Sequence, residues 1–265
     1  MDTNSRPEGV DFEGINGQVL VRQPQVRVFP KFGENMSFKF ALENPETDVV
    51  NGTGVKGRSD FVASVDRVPL GSLGSWNSRV GVIVRDLRAQ YTSGISGSSE
   101  EELPTASDFG WGVTTSGRVP VTRWGEDDFL LWQVTYGKGI GRYVSDLNTI
   151  GGGDAVFDED GKLHALPVFA GFVSYQHLWS KDFWFLEDWP GKMRSNITLS
   201  WVEINNYDFQ DDHDYNSTLR TSANLIYLPT QNVRLGMELL WGRRINKDES
   251  SGTATQFQIS ARYNF

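Results

Sequence analysis

Cysteine is absent from the 265 residues, which removes any disulfide framework and any thiol chemistry. Missing too is any apolar run near the roughly 18 residues of a membrane-spanning helix. That absence alone suggests a water-soluble chain. A membrane β-barrel, however, alternates lipid-facing and water-facing side chains and averages out as polar. No secretory leader is visible, because Met1 is followed by Asp-Thr-Asn-Ser-Arg without a basic start or an apolar stretch. For an exported protein the expectation is then that the leader lies outside this chain. Excess positive charge is lacking as well; the formal charge of −9 argues against nucleic acid as a partner.

What is plentiful is glycine, at 28 residues, and aromatics, with 9 Trp, 8 Tyr and 16 Phe, a mixture suited to turns and strands. Period-two segments bounded by turn residues recur throughout, and no stretch holds a 3.6 period. The pattern predicts about eleven strands, over 18–29, 35–44, 59–68, 76–91, 108–121, 128–138, 165–179, 194–205, 216–228, 232–245 and 253–265. Many exceed the usual ~5–6 residues and match the ~9–11 needed to cross a bilayer at a tilt. Connections 30–34, 69–75, 122–127 and 229–231 are short, with 180–193 as the exception. The alternate set, 45–58, 92–107, 139–164, 206–215 and 246–252, is longer and polar. Short turns at one end and long loops at the other are the outer-membrane barrel pattern, so residues 1–265 read as a single all-β, antiparallel transmembrane β-barrel domain.

The last four strands separate cleanly into faces. Phe257, Ile259, Ala261, Tyr263 and Phe265 oppose Gln256, Gln258, Ser260, Arg262 and Asn264. Val233, Leu235, Met237, Leu239 and Trp241 oppose Arg234, Gly236, Glu238, Gly242 and Arg244. A soluble barrel hides the apolar face; a porin turns it to lipid and keeps water within. Two strands resist. Asp86 and Arg88 share the parity of Val80, Val82 and Val84, which asks for a bulge or a protein-covered surface. Arg22 and Arg27 fall on opposite parities around Pro24, which asks for irregular pairing. The final alternating strand ends on Phe265, resembling the C-terminal signal by which bacterial barrels are recognised for assembly. Eleven strands cannot close a single-chain bacterial barrel, whose strand number is even, so the expectation is that strands precede Met1.

Several segments resemble the DcaP-like porins of Gram-negative bacteria: Val21-Arg-Gln-Pro-Gln-Val-Arg27, Phe40-Ala-Leu-Glu-Asn-Pro-Glu-Thr-Asp48, Gly137-Lys-Gly-Ile-Gly-Arg-Tyr143 and Ala170-Gly-Phe-Val-Ser-Tyr-Gln-His177. Val10-Asp-Phe-Glu-Gly-Ile-Asn-Gly17 is similar to a stretch preceding the arginine-rich strand of that family. The resemblance implies a trimeric, 16-stranded porin of the outer membrane that passes small anions such as dicarboxylates. It also implies a helical N-terminal extension, and the expectation is that this extension and about five strands lie outside this chain. Residues 180–192, with Trp184, Phe185, Trp189 and Pro190, are long for a periplasmic turn and are a further departure.

Assigning the polar parity to the lumen places Lys39, Arg79, Arg85, Arg118, Arg220, Arg234, Arg244 and Arg262 there, against Glu43, Asp66 and Glu238. The acidity sits largely in loops, as in Glu100-Glu101-Glu102, Asp158-Glu159-Asp160 and Asp211-Asp212-His213-Asp214. A basic wall in a confined channel concentrates anions, and a guanidinium fork pairs bidentately with carboxylates. The plainer reading is that these arginines pair with loop carboxylates and keep the lumen solvated. Arg22, Arg27, Arg85 and Arg142 are the candidates for substrate contact, since charge and resemblance overlap there. Arg142 lies in the longest loop, 139–164, which can fold inward and narrow the pore.

No catalytic or metal residue and no cofactor is assigned. Asp211-Asp212-His213-Asp214 reads as a solvated loop before it reads as a hard-cation site. Gly137-x-Gly-x-Gly141 lacks the helix that a phosphate cradle needs. His164, His177 and His213 are scattered and assemble no Ser-His-Asp arrangement. Two alternatives stand beside the porin: an outer-membrane barrel enzyme of the lipid-hydrolase type, and a soluble all-β binding protein.

Overall fold

The computed structural model describes residues 6–10, 14–32, 36–68, 78–91, 105–121, 127–145, 147–179 and 191–265. In chain order its strands are β1 (Gln25–Val28), β2 (Lys31–Phe32), β3 (Met36–Glu43), β4 (Gly52–Gly54), β5 (Asp60–Asp66), β6 (Arg79–Tyr91), β7 (Thr105–Pro120) and β8 (Phe129–Lys138). There follow β9 (Ala155–Phe157), β10 (Leu163–Ala165), β11 (Pro167–Trp179), β12 (Lys192–Ile204), β13 (Tyr215–Leu228), β14 (Val233–Asn246) and β15 (Ser251–Tyr263). Two short 3-10 turns, Gly141–Tyr143 and Asn148–Ile150, are the helical segments among the described residues. No helix there is long and apolar enough to cross a membrane.

One antiparallel sheet holds nearly all of this, in the order β1-β3-β5-β6-β7-β8-β11-β12-β13-β14-β15. Each strand pairs with its successor in the chain, apart from the short pieces β2, β4 and the β9–β10 hairpin. Among the described residues β1 and β15 do not pair, so the sheet is open there. All eleven expected strands are present, most within a few residues of their predicted ends.

The differences have local causes. The segment expected as a strand over 18–29 pairs only from Gln25, because Pro24 has no N–H to offer a ladder. Upstream of it Val19 makes a single bridge to Val144. No bulge interrupts β6, which pairs one-for-one with β5 and β7. Its off-pattern pair, Asp86 and Arg88, is covered instead: β4 and residues 55–58 lie alongside, Val55 N–H donating to Arg88 O at 2.9 Å and Arg88 Nε to Asp86 at 3.0 Å. The connection expected as a long loop over 246–252 is a tight turn between Asn246 and Ser251, with Glu249 in the left-handed region at φ 64°. Glu100-Glu101-Glu102 and Trp184, Phe185, Trp189 and Pro190 lie outside the described residues.

Register sorts the side chains into two faces, and their burial is the reverse of a soluble sheet. On one face Ile197, Leu239, Phe257 and Ile259 are exposed, Ile259 at 75% and Leu239 at 53%. On the other, Gln133, Thr135, Ser174, Asn196, Thr198 and Ser200 are buried, Gln133 and Ser200 at 0%. The polar face is covered because the chain itself folds onto it. Loop 139–166 leaves β8 and lays Ile140, Tyr143, Val144 and Leu147 against Ala41, Val62, Ile83, Val168, Val202 and Ile204. The hydrophobic core of the molecule is thus between a loop and the apolar minority on the polar parity.

Candidate functional site

The covered face is built by two inserted segments that meet each other. The first, a strap made of residues 6–10 and 14–24, crosses the strands. Val10 N–H donates to Glu238 of β14, Arg220 of β13 donates to Gly14 O at 3.0 Å, and Ser200 of β12 donates to Asn16 at 2.7 Å. Further along, Val19 N–H donates to Gln133 of β8 at 3.0 Å and Gln23 to Glu43 of β3 at 2.7 Å. Gly17 allows this close crossing, since a Cβ there would collide with Trp201 O and Gly171 O and its φ is +77°. The second segment is loop 139–166, joined to the first by the Val19–Val144 bridge and by Leu20 N–H to Tyr143 O at 3.0 Å.

Where the loop reaches β3, β5 and β6, an ion network is sealed from solvent. Arg85 donates to Asp60 at 2.9 Å, to Asp154 at 2.7 Å, to Gly139 O at 2.5 Å and to Glu46 O. Tyr143 Oη donates toward Glu43 and Asp60, each at 2.9 Å, and its ring lies under the Arg85 guanidinium. Burial, and then the charges of Asp60 and Glu43, push the Tyr143 hydroxyl well above its ordinary value, so it stays a donor. Asp48 is likewise raised, by burial and by the neighbouring Asp154.

The predicted site residues occupy distinct places. Arg27, Lys39, Arg79, Arg85, Arg118, Arg220, Arg234, Arg244 and Arg262 share the polar face by register. Arg79 and Lys39 converge on Asp66 at 2.5 and 2.7 Å. Arg118 lies over the Phe129 ring, 3.3 Å from its centroid. Arg234 bonds Glu8 and Gly9 O, and Arg244 bonds Ile150 O at 2.9 Å. Arg262, on β15, is exposed. Arg22 is exposed on the strap, and Arg27 bonds the neighbouring Gln25. Arg142 sits in the first 3-10 turn and pairs with Glu46 and, at 3.9 Å, with Asp48.

Four residues escaped the sequence reading. Arg194 shares the parity of Asn196, Thr198 and Ser200, and Asp60 that of Asp66, so both were readable from alternation. Glu8 and Asp154 lie in irregular segments and carry no pattern. Around the first strap there is a cavity of about 140 Å³, bordered by Arg6, Glu8, Gln18, Arg22, Arg220 and Glu238 among others. Among the described residues no group of three or more His, Asp or Glu is close enough to hold a metal ion.

Outside the sheet, the β9–β10 hairpin is pinned by Asp158, which accepts from His164 Nε2 at 2.7 Å and from the backbone of Lys162 and Asp160. The His164 contact and those N–H groups hold the Asp158 carboxyl below its ordinary value. A lowered carboxylate contributes stability above the unfolded value that is lost as pH falls through the folded one. The protection of the Lys162 and Asp160 amides, relative to their intrinsic exchange, is therefore expected to fall below about pH 4, and Asp158→Asn is expected to lose that pH step. Unchanged protection down to pH 2 would show the contact to be idle.

The chain resembles one solved protein over almost its whole length. Against the outer membrane channel DcaP of Acinetobacter baumannii the TM-score is 0.72 at 18% sequence identity, covering 98% of this chain and 67% of that one. No family model matches the chain, and neither does any curated protein. At that TM-score the chain shares the fold of that protein, here an antiparallel sheet of sequentially paired strands.

Proposed function

We propose that the chain forms the wall of a Gram-negative outer-membrane porin, a closed and trimeric barrel that passes small anionic solutes such as dicarboxylates by passive diffusion, without enzymatic chemistry. The observation that carries this reading is the inverted burial: an exposed belt of Ile, Leu, Val and Phe on one face and a protected polar face behind it. In water such a belt is an aggregation surface; against acyl chains it is the stable arrangement. A soluble binding protein needs the opposite arrangement.

The dimensions support a bilayer. On the apolar face Phe169–Trp201 and Trp111–Tyr136 pair near the long-loop ends, at 6.0 and 5.9 Å between centroids. Near the short-turn ends lie Tyr175, Trp179 and Tyr263. From Phe169 to Trp179 is ten residues of β11, about 34 Å along the strand, or roughly 26 Å across a membrane at a tilt near 40°. That is the height of a hydrocarbon band flanked by aromatic girdles.

The charge on the polar parity supports an anion preference: Arg27, Lys39, Arg79, Arg85, Arg118, Arg194, Arg220, Arg234, Arg244 and Arg262 outnumber Glu43, Asp60, Asp66, Asp108 and Glu238. Fixed cations along a narrow aqueous path raise the local anion concentration. In planar bilayers under a tenfold KCl gradient, the reversal potential is expected on the chloride side. Arg220→Gln combined with Arg262→Gln is expected to move it toward zero. A potassium-side potential for the unaltered channel would overturn the proposed selectivity.

A further inference from the structure

Glu8 is held as a bound ligand would be. Its carboxylate forms an ion pair with Arg194 from β12, whose Nη2 donates to it at 2.6 Å. It also accepts from Arg234 Nε of β14 at 3.2 Å. The backbone on either side of that carboxylate is fixed too: Asn224 donates to Glu8 O at 2.7 Å and Arg234 Nη2 to Gly9 O at 2.9 Å. Two guanidiniums two strands apart on one face would repel without an anion between them, and Glu8 supplies one. The residue comes from the strap, not from the sheet, so the sheet itself presents the cationic half of the pair.

A second observation lies next to it. The cavity of about 140 Å³ has Glu8 on its border, with Arg6, Arg22 and Arg220 around it. Gln18 also lines it, is 4% exposed, and leaves its side-chain Nε2 buried without a hydrogen-bond partner. A buried amide donor without an acceptor is costly, and an oxyanion in the cavity would satisfy it.

We propose that Arg194 and Arg234 form a carboxylate-binding site which Glu8 occupies as an internal competitor. A solute carboxylate in the adjoining cavity exchanges with Glu8, and a second carboxylate on the same solute meets Gln18 and Arg220. This rests on the porin reading and adds to it a regulating residue, Glu8, at a defined carboxylate site. Neutralising Glu8 leaves both guanidiniums to the solute. Losing one charge-assisted competitor corresponds to about tenfold or more in affinity.

The probe is glutarate, titrated calorimetrically into the detergent-solubilised protein and applied as a blocker of single-channel current. Glu8→Gln is expected to raise glutarate affinity about tenfold, and Glu8→Gln with Arg234→Gln to abolish the gain. Permeation of a neutral polyol is expected to stay within about twofold of the unaltered protein, since the charge changes and the strap does not leave. The proposal is overturned if Glu8→Gln binds glutarate no better, if the gain survives loss of Arg234, or if polyol permeation rises in step. Should Glu8→Gln unfold, Arg194→Gln in the unaltered background serves instead, because it must weaken glutarate binding. Calorimetry reads the site without any channel current, so a cation-preferring channel would sink the porin selectivity and leave this comparison standing.

Discussion

Replacing Arg85 with methionine is expected to destabilise the folded protein by about 3–5 kcal/mol, the cost of leaving buried charge without its partner. The side chain is 1% exposed and holds Asp60 and Asp154, themselves at 1% and 0%, together with the carbonyls of Gly139 and Glu46. Methionine fills the volume and donates nothing, so two carboxylates and two carbonyls lose their donor together. Heat-modified mobility on unheated SDS gels, or a urea titration of the reconstituted protein, reads the loss. Arg85→Met joined to Asp60→Asn and Asp154→Asn should recover a large part of it, because the uncompensated charge is gone. A single variant as stable as the parent would mean that water reaches Asp60 and Asp154. The same substitution separates two roles assigned to Arg85. A guanidinium whose Nε, Nη1 and Nη2 are each engaged by buried partners anchors loop 139–166; under the proposed porin function, solute contact is expected at Arg220 and Arg262 instead.

The arrangement of the sheet was largely readable beforehand, because period-two alternation reports the faces directly. Phe257, Ile259 and Tyr263 against Gln258, Ser260 and Arg262 needed no tertiary knowledge, and register places them as the alternation does. Boundaries failed where a local rule was overridden. Pro24 removes a ladder donor and cuts the first strand to Gln25–Val28. Asp86 and Arg88 broke the pattern without a bulge, because residues 52–58 run beside β6, Arg58 meeting Asp86, and the two charges pair with each other. The site was less legible. Alternation could nominate Arg234 and could have nominated Arg194, but it says nothing of Glu8, which comes to them across a sequence separation of 186 residues or more. Nor could it show that Arg142 faces Glu46 and Asp48 on the loop side. Irregular segments have no period, and their contacts are fixed by the wall they fold against.

Leu239→Arg is expected to cost about 2–4 kcal/mol if the apolar face meets lipid near the bilayer midplane. Leu239 stands in the middle of β14, opposite Ala223 on one side and Phe257 on the other, and is 53% exposed. Exposure is what separates the readings. In water an exposed leucine exchanged for arginine is close to neutral, since surface substitutions fall within about 0.5 kcal/mol. In hydrocarbon the guanidinium must stay charged and find water, which the strand centre does not offer. A matched change at the rim, Leu219→Arg, lies nearer the long-loop end and is expected to cost about 0–1 kcal/mol. Stability of both variants measured by denaturant titration in phospholipid vesicles gives the depth dependence directly. Equal, near-zero costs at both positions would place this face in water and remove the membrane from the account. A steep difference between Leu239 and Leu219 has no explanation in a soluble sheet, where both positions are solvated alike.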